Sequence, residues 1–434
     1  MADVVVVGGG LAGMAAAVRI AKLRHRVVLV EDADRVGGRL LPLVHDGFSF
    51  DHGSSEVTLP ATLRDLFRKS GRPLDSELEL VPLPVARRHV LGDGDVLDLP
   101  TGSRAAQTDA IDQVLGRGSG ARWTRWLDAY TDVWEVLRTR ALEQPFEGRA
   151  AFDNAQWRML RPRAGLQRAA RRGLRDPRLR ALVIDRHRLD GEQPGLLPAF
   201  LGVLDLVERS FGRWRVVGGT SALVTALERR LAQRRVDVRT GVRALDVVGT
   251  DRVEGVRTAD GVVSGDVVVW AAPAAPGGRR ESDALPRVPA ARTYLGLGPD
   301  APRLEQETIV HDHAPLRISP SATHDGPGQA WTVEHLGAED PVDALARHGL
   351  RLSAHVRARV DVSALDAVRD GGARYGWCWS GWRTGCTLPG VGRPRPAGLL
   401  RIGANAHPGA SLEAVTLGAA SAAETLRPPT SAAG

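Results

Sequence analysis

The chain has 434 residues, too many for one compact core, so its apolar surface should be shared between two domains. Hydrophobic residues make up 43% and charged ones 25%, the balance of an ordinary soluble globular protein. Its formal charge of +7 comes from a basic set in which only Lys22 and Lys69 are lysines, a bias that fits a GC-rich genome better than a nucleic-acid ligand, so nucleic acid is not an expected partner.

The one gathered run of charge, Arg161 to Arg188, reads as a solvated helix face rather than a nucleic-acid or lipid-headgroup site, although peripheral contact with a membrane stays open. The longest uncharged stretch, Val4 to Val18, is broken by glycines, so no transmembrane segment is expected. A strand starting at residue 3 or 4 with no basic segment before it predicts no signal peptide and a cytoplasmic protein. Cys378 and Cys386 are expected to be reduced. His311 and His313 are two ligands at most, so no metal site is expected.

In chain order, Asp3 to Val7 reads as a buried strand, Gly8 to Gly13 as a tight turn, Met14 to Lys22 as a helix and Val27 to Glu31 as a second strand. This is a complete βαβ nucleotide-binding unit. Gly8 lets the strand turn, Gly10 removes a Cβ where a diphosphate must approach, and Gly13 lets the helix lie close to the sheet. Leu11 and Ala12 belong to this turn as cofactor-binding residues, ahead of the helix whose N-terminal N–H groups and partial positive charge suit that diphosphate. Glu31, followed by Asp32, places a carboxylate where ribose hydroxyls are read.

Past the acidic residue, Asp34-Arg35-Val36-Gly37-Gly38-Arg39 resembles the GG motif of the large FAD family that contains amine oxidases and carotenoid desaturases. The resemblance implies FAD as cofactor, with Gly37 and Gly38 close to its diphosphate and Arg39 able to fork onto phosphate or carboxylate oxygens. In that family the segment matching Phe48 to Ser54 lies over the cofactor. Desaturases commonly carry Asp-Ala-Gly-Pro there, whereas Asp51-His52-Gly53-Ser54 brings two polar side chains near the ring.

A helix then begins at Pro60, buries Leu63, Leu66 and Phe67, and stops at Gly71. Residues 80 to 100 alternate as strands around a Gly92-Asp93-Gly94 turn, and from Ser103 to about Phe211 the pattern is helical. Trp123, Trp126, Leu127, Tyr130, Val133, Trp134 and Leu137 form one apolar stripe that reads as core. Val217-Gly218-Gly219-Thr220 opens another helix, followed by strand-like stretches at 236–238, 242–248 and 266–273, with a hairpin turn at Gly261. By resemblance this stretch returns to the dinucleotide domain, with the Val242 backbone at the adenine and Ala271 on the returning strand. Residues 276–300 and 320–330 read as loops, and 276–370 yields no chemistry.

Near the end, Leu399 to Ala404 reads as a strand entering a turn, and Asn405 to Ala410 precedes a helix from about Leu412 to Leu426. Gly403-Ala404-Asn405-Ala406-His407-Pro408-Gly409 looks like the Gly-Ala-x-x-His-Pro-Gly signature of bacterial phytoene desaturase-like flavoproteins. That likeness implies that Gly403, Ala404, Pro408 and Gly409 contact FAD and that the helix N-terminus faces the flavin pyrimidine. The resemblance covers about half of the chain and is weakest in the substrate-facing middle.

The expected architecture is α/β. A discontinuous Rossmann-like FAD-binding domain (1–75, 212–275 and 385–434) accompanies an α+β substrate domain (76–211 and 276–384) with a mixed sheet and a helical cap over 103–211. The expected activity is removal of hydride from an apolar or polycyclic small molecule, with oxygen or a quinone as external electron acceptor. A double-bond isomerase using reduced FAD and a prenyl or lipid carrier remain as alternatives. No lysine follows Lys69, which excludes the lysine-held water of many amine oxidases, and no Ser-Gly-Gly-Cys precedes Cys386 to attach the flavin. His52, His407 and Glu413 are the candidate catalytic residues, set around the ring by two loops.

Overall fold

The computed structural model describes residues 1–53, 55–278, 282–371, 375–392 and 395–427. Ser54, one of the two polar residues expected near the ring, lies outside them.

Five strands from distant parts of the chain form one parallel sheet. In spatial order they are Asp237–Arg239, Arg26–Val30, Asp3–Val7, Val267–Trp270 and Leu399–Arg401. The valine runs that build it are apolar on both sides, as a sheet covered on both faces requires. Val4, Val6, Leu29 and Val269 face the helices Leu11–Lys22, Pro60–Ser70, Gly219–Gln233 and Leu412–Thr425. Val5, Val7, Val30, Val268 and Trp270 face a smaller antiparallel sheet containing Val256, with Val253 packed just before it. The first helix starts at Leu11, three residues before the periodicity suggests, because Gly10 is its N-cap.

The second large sheet has seven strands, in the order Val356–Val362, Ala291–Leu297, Gln329–His335, Leu316–Pro320, Thr308–Val310, Val85–Val90 and Val96–Pro100. It is mixed, since Thr308–Val310 runs parallel to Val85–Val90 and every other neighbour is antiparallel. This corrects the reading of 276–300 as loop: Ala291–Leu297 is an interior strand, paired along its whole length with Gln329–His335 and from Arg292 to Leu297 with Val356–Val362. Its period-two pattern is masked by the glycine, proline and arginine around it; residues 279–281 are not among those described.

Between the two sheets' sequences, the helical stretch from Arg104 to Phe211 closes its own core. Trp123, Trp126, Leu127, Tyr130 and Val133 are buried in it, with Trp134 and Leu137 packed alongside, so the aromatic stripe is core. A buried ion-pair network joins this region to the seven-stranded sheet. Glu307 is 2% exposed and takes Arg87 at 2.6 Å and Arg213 at 2.9 Å, and Arg87 also reaches Glu208 at 3.1 Å.

Candidate functional site

The glycine turn lies at the carboxyl ends of the central parallel strands, where open α/β sheets bind ligands. Its glycines are there for different reasons. Gly8 has φ of +97°, and its N–H donates to Val30 O at 2.8 Å. A Cβ on Gly13 would stand 1.8 Å from Gly8 O, so this glycine sets the approach of helix to strand. A Cβ on Gly10 would meet nothing within 4 Å. The helix Leu11–Lys22 that follows has no capping side chain and no acidic residue in its first turn. Uncapped helix N–H groups beside open space at Gly10 are what a diphosphate needs, so the residues present fit FAD.

The GG motif closes over this turn. Gly37 N–H donates to Gly9 O at 2.8 Å, Gly37 bridges Gly10, and a Cβ on Gly38 would lie 3.3 Å from Gly10 Cα. Glu31 immediately follows the second strand, which ends at Val30, and its two carboxylate oxygens accept from Gly9 N–H and Ala33 N–H. It thereby holds the turn in shape, while Asp32 beside it is exposed. Val242 N–H donates to Glu31 O at 2.8 Å, which seats that segment at the end of the second strand.

The carboxyl ends of three strands converge here. Ala271 N–H donates to Val7 O at 2.8 Å, and a Cβ on Gly403 would lie 3.1 Å from Ala271 O and 3.6 Å from the Ala12 Cβ. Gly403 has φ of +95° and Gly409 +138°, and a Cβ on Gly409 would point into open space. Ala404 packs against Gly376, and Pro408 against Gly418 of the last helix. Ser411 caps that helix by accepting from Ala414 N–H at 3.1 Å.

The three candidate catalytic residues have separate settings. His52 Nδ1 and the Tyr294 hydroxyl share a hydrogen bond of 2.9 Å, and burial, then the charges of Arg292 and Arg39, push His52 down to about 4. Its imidazole is neutral at physiological pH. His407 instead gives Nε2 to Ala141 O at 2.7 Å and stacks on Phe146 with ring centres 4.5 Å apart. Burial pushes it also to about 4. Glu413 accepts from Thr58 N–H at 2.6 Å and Leu59 N–H at 3.4 Å, at the start of the helix Pro60–Ser70. Both therefore tie the last helix and its loop to neighbouring elements, and His52 alone keeps company with other polar groups of the site.

Part of that company, Arg292, Tyr294 and Glu334, comes from the stretch 276–370, in which sequence reading found no chemistry. Arg39 lies over the ring of Tyr375, 4.4 Å from its centre, and Arg292 lies 5.1 Å from the same centre while donating to the phenol oxygen at 3.2 Å. Arg292 also pairs with Glu334 at 3.2 Å. The signal for Arg292 and Tyr294 was the alternation along Ala291–Leu297; Tyr375 had none. Asp51 was also missed. Its carboxylate accepts from the hydroxyls of Thr220 (2.9 Å), Thr323 (2.6 Å) and Ser321 (3.2 Å), pinning the loop that carries His52 to the helix Gly219–Gln233.

A glycine turn at a parallel sheet, closed by a second glycine pair and joined by a distant Gly-Ala turn, defines a dinucleotide-binding flavoprotein. Comparison with known proteins agrees. The sequence profile described as flavin containing amine oxidoreductase matches residues 11–293, and the chain belongs to that family, whose cofactor, FAD, is also this chain's. Among curated relatives it is 31% identical over 267 residues to a hydroxyneurosporene desaturase of Rhodobacter capsulatus, covering 60% of this chain and 54% of that one. It is 27% identical over 284 residues to a 4,4'-diapolycopene oxygenase of Methylomonas sp, covering 61% and 54%. The chain thus spans about half the length of the curated relatives it matches. Among solved structures it resembles an oxidoreductase from Methanosarcina mazei at a TM-score of 0.65 and 15% identity, covering 97% of this chain and all of that one. It also resembles wild-type putrescine oxidase bound to putrescine, at a TM-score of 0.64 and 16% identity with 98% of each chain covered. Likenesses at that identity show the shared fold.

Proposed function

We propose that the protein is an FAD-dependent dehydrogenase or desaturase acting on a small molecule with an apolar or polycyclic body, in isoprenoid or secondary metabolism. The observation that carries this reading is the glycine turn, open at Gly10 and closed by Gly37 and Gly38, within a chain of the flavin family. The names of its relatives, a carotenoid desaturase and a carotenoid oxygenase, support the apolar body. The proposed division of labour gives 1–75, 212–275 and 385–434 to the cofactor and the rest to the substrate.

When bound, FAD supplies the hydride acceptor, and oxygen or a quinone returns it to the oxidised state. The chain's own part is to orient and to manage a proton. Gly10 and the first turn of Leu11–Lys22 hold the diphosphate, and Glu31 keeps that turn in shape. His52 takes the proton left by carbon–hydrogen cleavage. In the tautomer with hydrogen on Nδ1, donated to the Tyr294 oxygen, its Nε2 offers a lone pair.

Anaerobic mixing of the FAD-loaded protein with candidate compounds tests this. Bleaching of the flavin by a substrate is expected. Turnover only after pre-reduction identifies an isomerase, and neither response identifies a carrier. With a bleaching substrate in hand, His52→Asn should keep its flavin and slow bleaching by ~10²-fold or more; a wild-type rate removes His52 from the chemistry.

A further inference from the structure

The seven-stranded sheet has two unlike faces. Strand register puts Arg292, Glu334, Arg317, Ile309 and His89 in one row on the first face. Leu295, Trp331, Val333 and Ile318 face the other way, into an apolar core beneath the helix Pro341–Arg347. At the His89 end of the row the sheet meets the helical region through buried polar groups. His89 is 1% exposed, and His311, just past the neighbouring strand Thr308–Val310, is 5% exposed. His89 Nδ1 and His311 Nε2 lie 2.8 Å apart, and His311 Nδ1 lies 2.9 Å from Asp185 Oδ2 on the helix Pro177–Leu189. Two imidazoles and a carboxylate thus form one hydrogen-bonded chain from helix to sheet.

The chain has a direction. An ionised Asp185 only accepts, and its other oxygen already takes Arg188 at 3.0 Å, so His311 carries its hydrogen on Nδ1. With one hydrogen per ring, His311 Nε2 is then an acceptor and His89 donates from Nδ1, which leaves His89 Nε2 with a bare lone pair. Burial first, then the charges of His311 and Arg87, hold His89 well below the usual histidine range, although Glu307 pulls the other way. The ring is therefore neutral at physiological pH.

His89 also lines a cavity of about 10 Å³, together with Gln107, Trp123, Asp205, Glu208 and Arg209. That space suits a single water molecule. Most of its polar wall is occupied. Gln107 receives Trp123 Nε1 and donates to Pro100 O, Asp205 takes Arg186, and Glu208 takes Arg87. Arg209 gives Nη2 to Asp128 at 3.1 Å. Two buried atoms have no partner among the described residues, His89 Nε2 and Arg209 Nη1. One accepts and the other donates, and they do not bond each other. A water molecule between them does both, accepting from the guanidinium and donating to the imidazole.

We propose that this cavity is a binding site for one water molecule, which completes a chain from Asp185 through His311 and His89 to Arg209 and so ties the sheet to two helices. The chain draws on nothing in the flavin reading.

Nitrogen NMR of the histidine-labelled protein at pH 8 reads the direction, because a ring nitrogen bearing hydrogen and a bare one differ widely in shift. His89 and His311 are recognised by their coupling through the shared hydrogen bond. Both should carry hydrogen on Nδ1 alone. A high-resolution crystal structure should show one ordered water within hydrogen-bond reach of His89 Nε2 and Arg209 Nη1. Asp185→Asn should reverse the chain: Arg188 keeps the amide oxygen, the amide N–H turns to His311 Nδ1, and both ring hydrogens move to Nε2. A wild-type His89 with its hydrogen on Nε2, or a cavity that is dry in the crystal, overturns the proposal. An Asp185→Asn protein whose hydrogens stay on Nδ1 does the same. Should that variant not fold, the wild-type spectrum and crystal decide alone.

Discussion

The two large sheets of this molecule are built on opposite rules. The five-stranded sheet is parallel, apolar on both faces, and keeps its polar work for the loops at its carboxyl ends. The seven-stranded sheet is mixed, apolar on one face only, and presents charged groups directly from its strands. A covered parallel sheet is a platform whose ligand site can sit only at an edge; a half-polar sheet carries polar groups on its own face. That difference explains why the glycine turn and the polar sheet face are legible to different degrees.

The sharpest break in the comparison comes within one loop. Gly13→Val should remove the cooperative fold, since its Cβ would stand 1.8 Å from Gly8 O and larger atoms follow it into the sheet. Gly10→Val, three residues earlier, should leave thermal unfolding close to that of the cofactor-free wild type and abolish FAD retention. Circular dichroism melts with flavin content on the same samples read both. A Gly10→Val protein that purifies with FAD shows the turn to be misread.

Next in size is the buried network behind the charged face. Glu307→Gln leaves Arg87 and Arg213 short of a counter-charge in a dry place, and urea unfolding should fall by about 3–5 kcal/mol. A loss under about 1 kcal/mol would mean that water already reaches the pair.

Acidification gives an effect distributed over several groups. His52 and His407 are held at about 4 and His187 at about 3, below the ordinary 6.5, chiefly by burial. Unfolded histidines take protons below pH 6.5 while these folded ones do not, so stability should fall as pH drops from 6.5 towards 4. Glu307, held well below 4.5 in the fold by Arg213 and Arg87 despite its burial, adds a loss below that pH. Urea midpoints at pH 7, 6 and 5 check the sign, and a midpoint that rises on acidification contradicts it.

The smallest effect separates structure from chemistry at the last helix. Glu413→Gln should lower stability by about 1 kcal/mol by weakening the contacts to Thr58 and Leu59 N–H. It should leave the rate of flavin bleaching unchanged; a slowed rate at equal flavin content returns Glu413 to the proton path.

How far the sequence could be read follows from the same contrast. Asp3 to Val7, Arg26 to Val30 and Val267 to Trp270 announce themselves because both faces are apolar, and the motif glycines because backbone geometry admits little else at Gly8 and Gly13. Ala291–Leu297 was lost to a loop reading because a strand carrying arginine, threonine, tyrosine and glycine has no apolar run. With it went Arg292 and Tyr294. His407 and Glu413 were read as polar groups near the ring, but one-dimensional spacing says nothing of Ala141 O or Thr58 N–H, which come from far along the chain. Tyr375 could not be found without the fold, since its role depends on two arginines, one 336 and one 83 residues away.

The proposed activity requires FAD bound at the turn between Gly8 and Gly13. The most direct measurement is a titration of FAD into the purified, stripped protein, followed by quenching of flavin fluorescence and by the absorbance of the bound flavin. One FAD per chain, lost in Gly10→Val, is the expected result. A chain that takes up no FAD, or a Gly10→Val chain that takes up as much as wild type, contradicts the account at its centre.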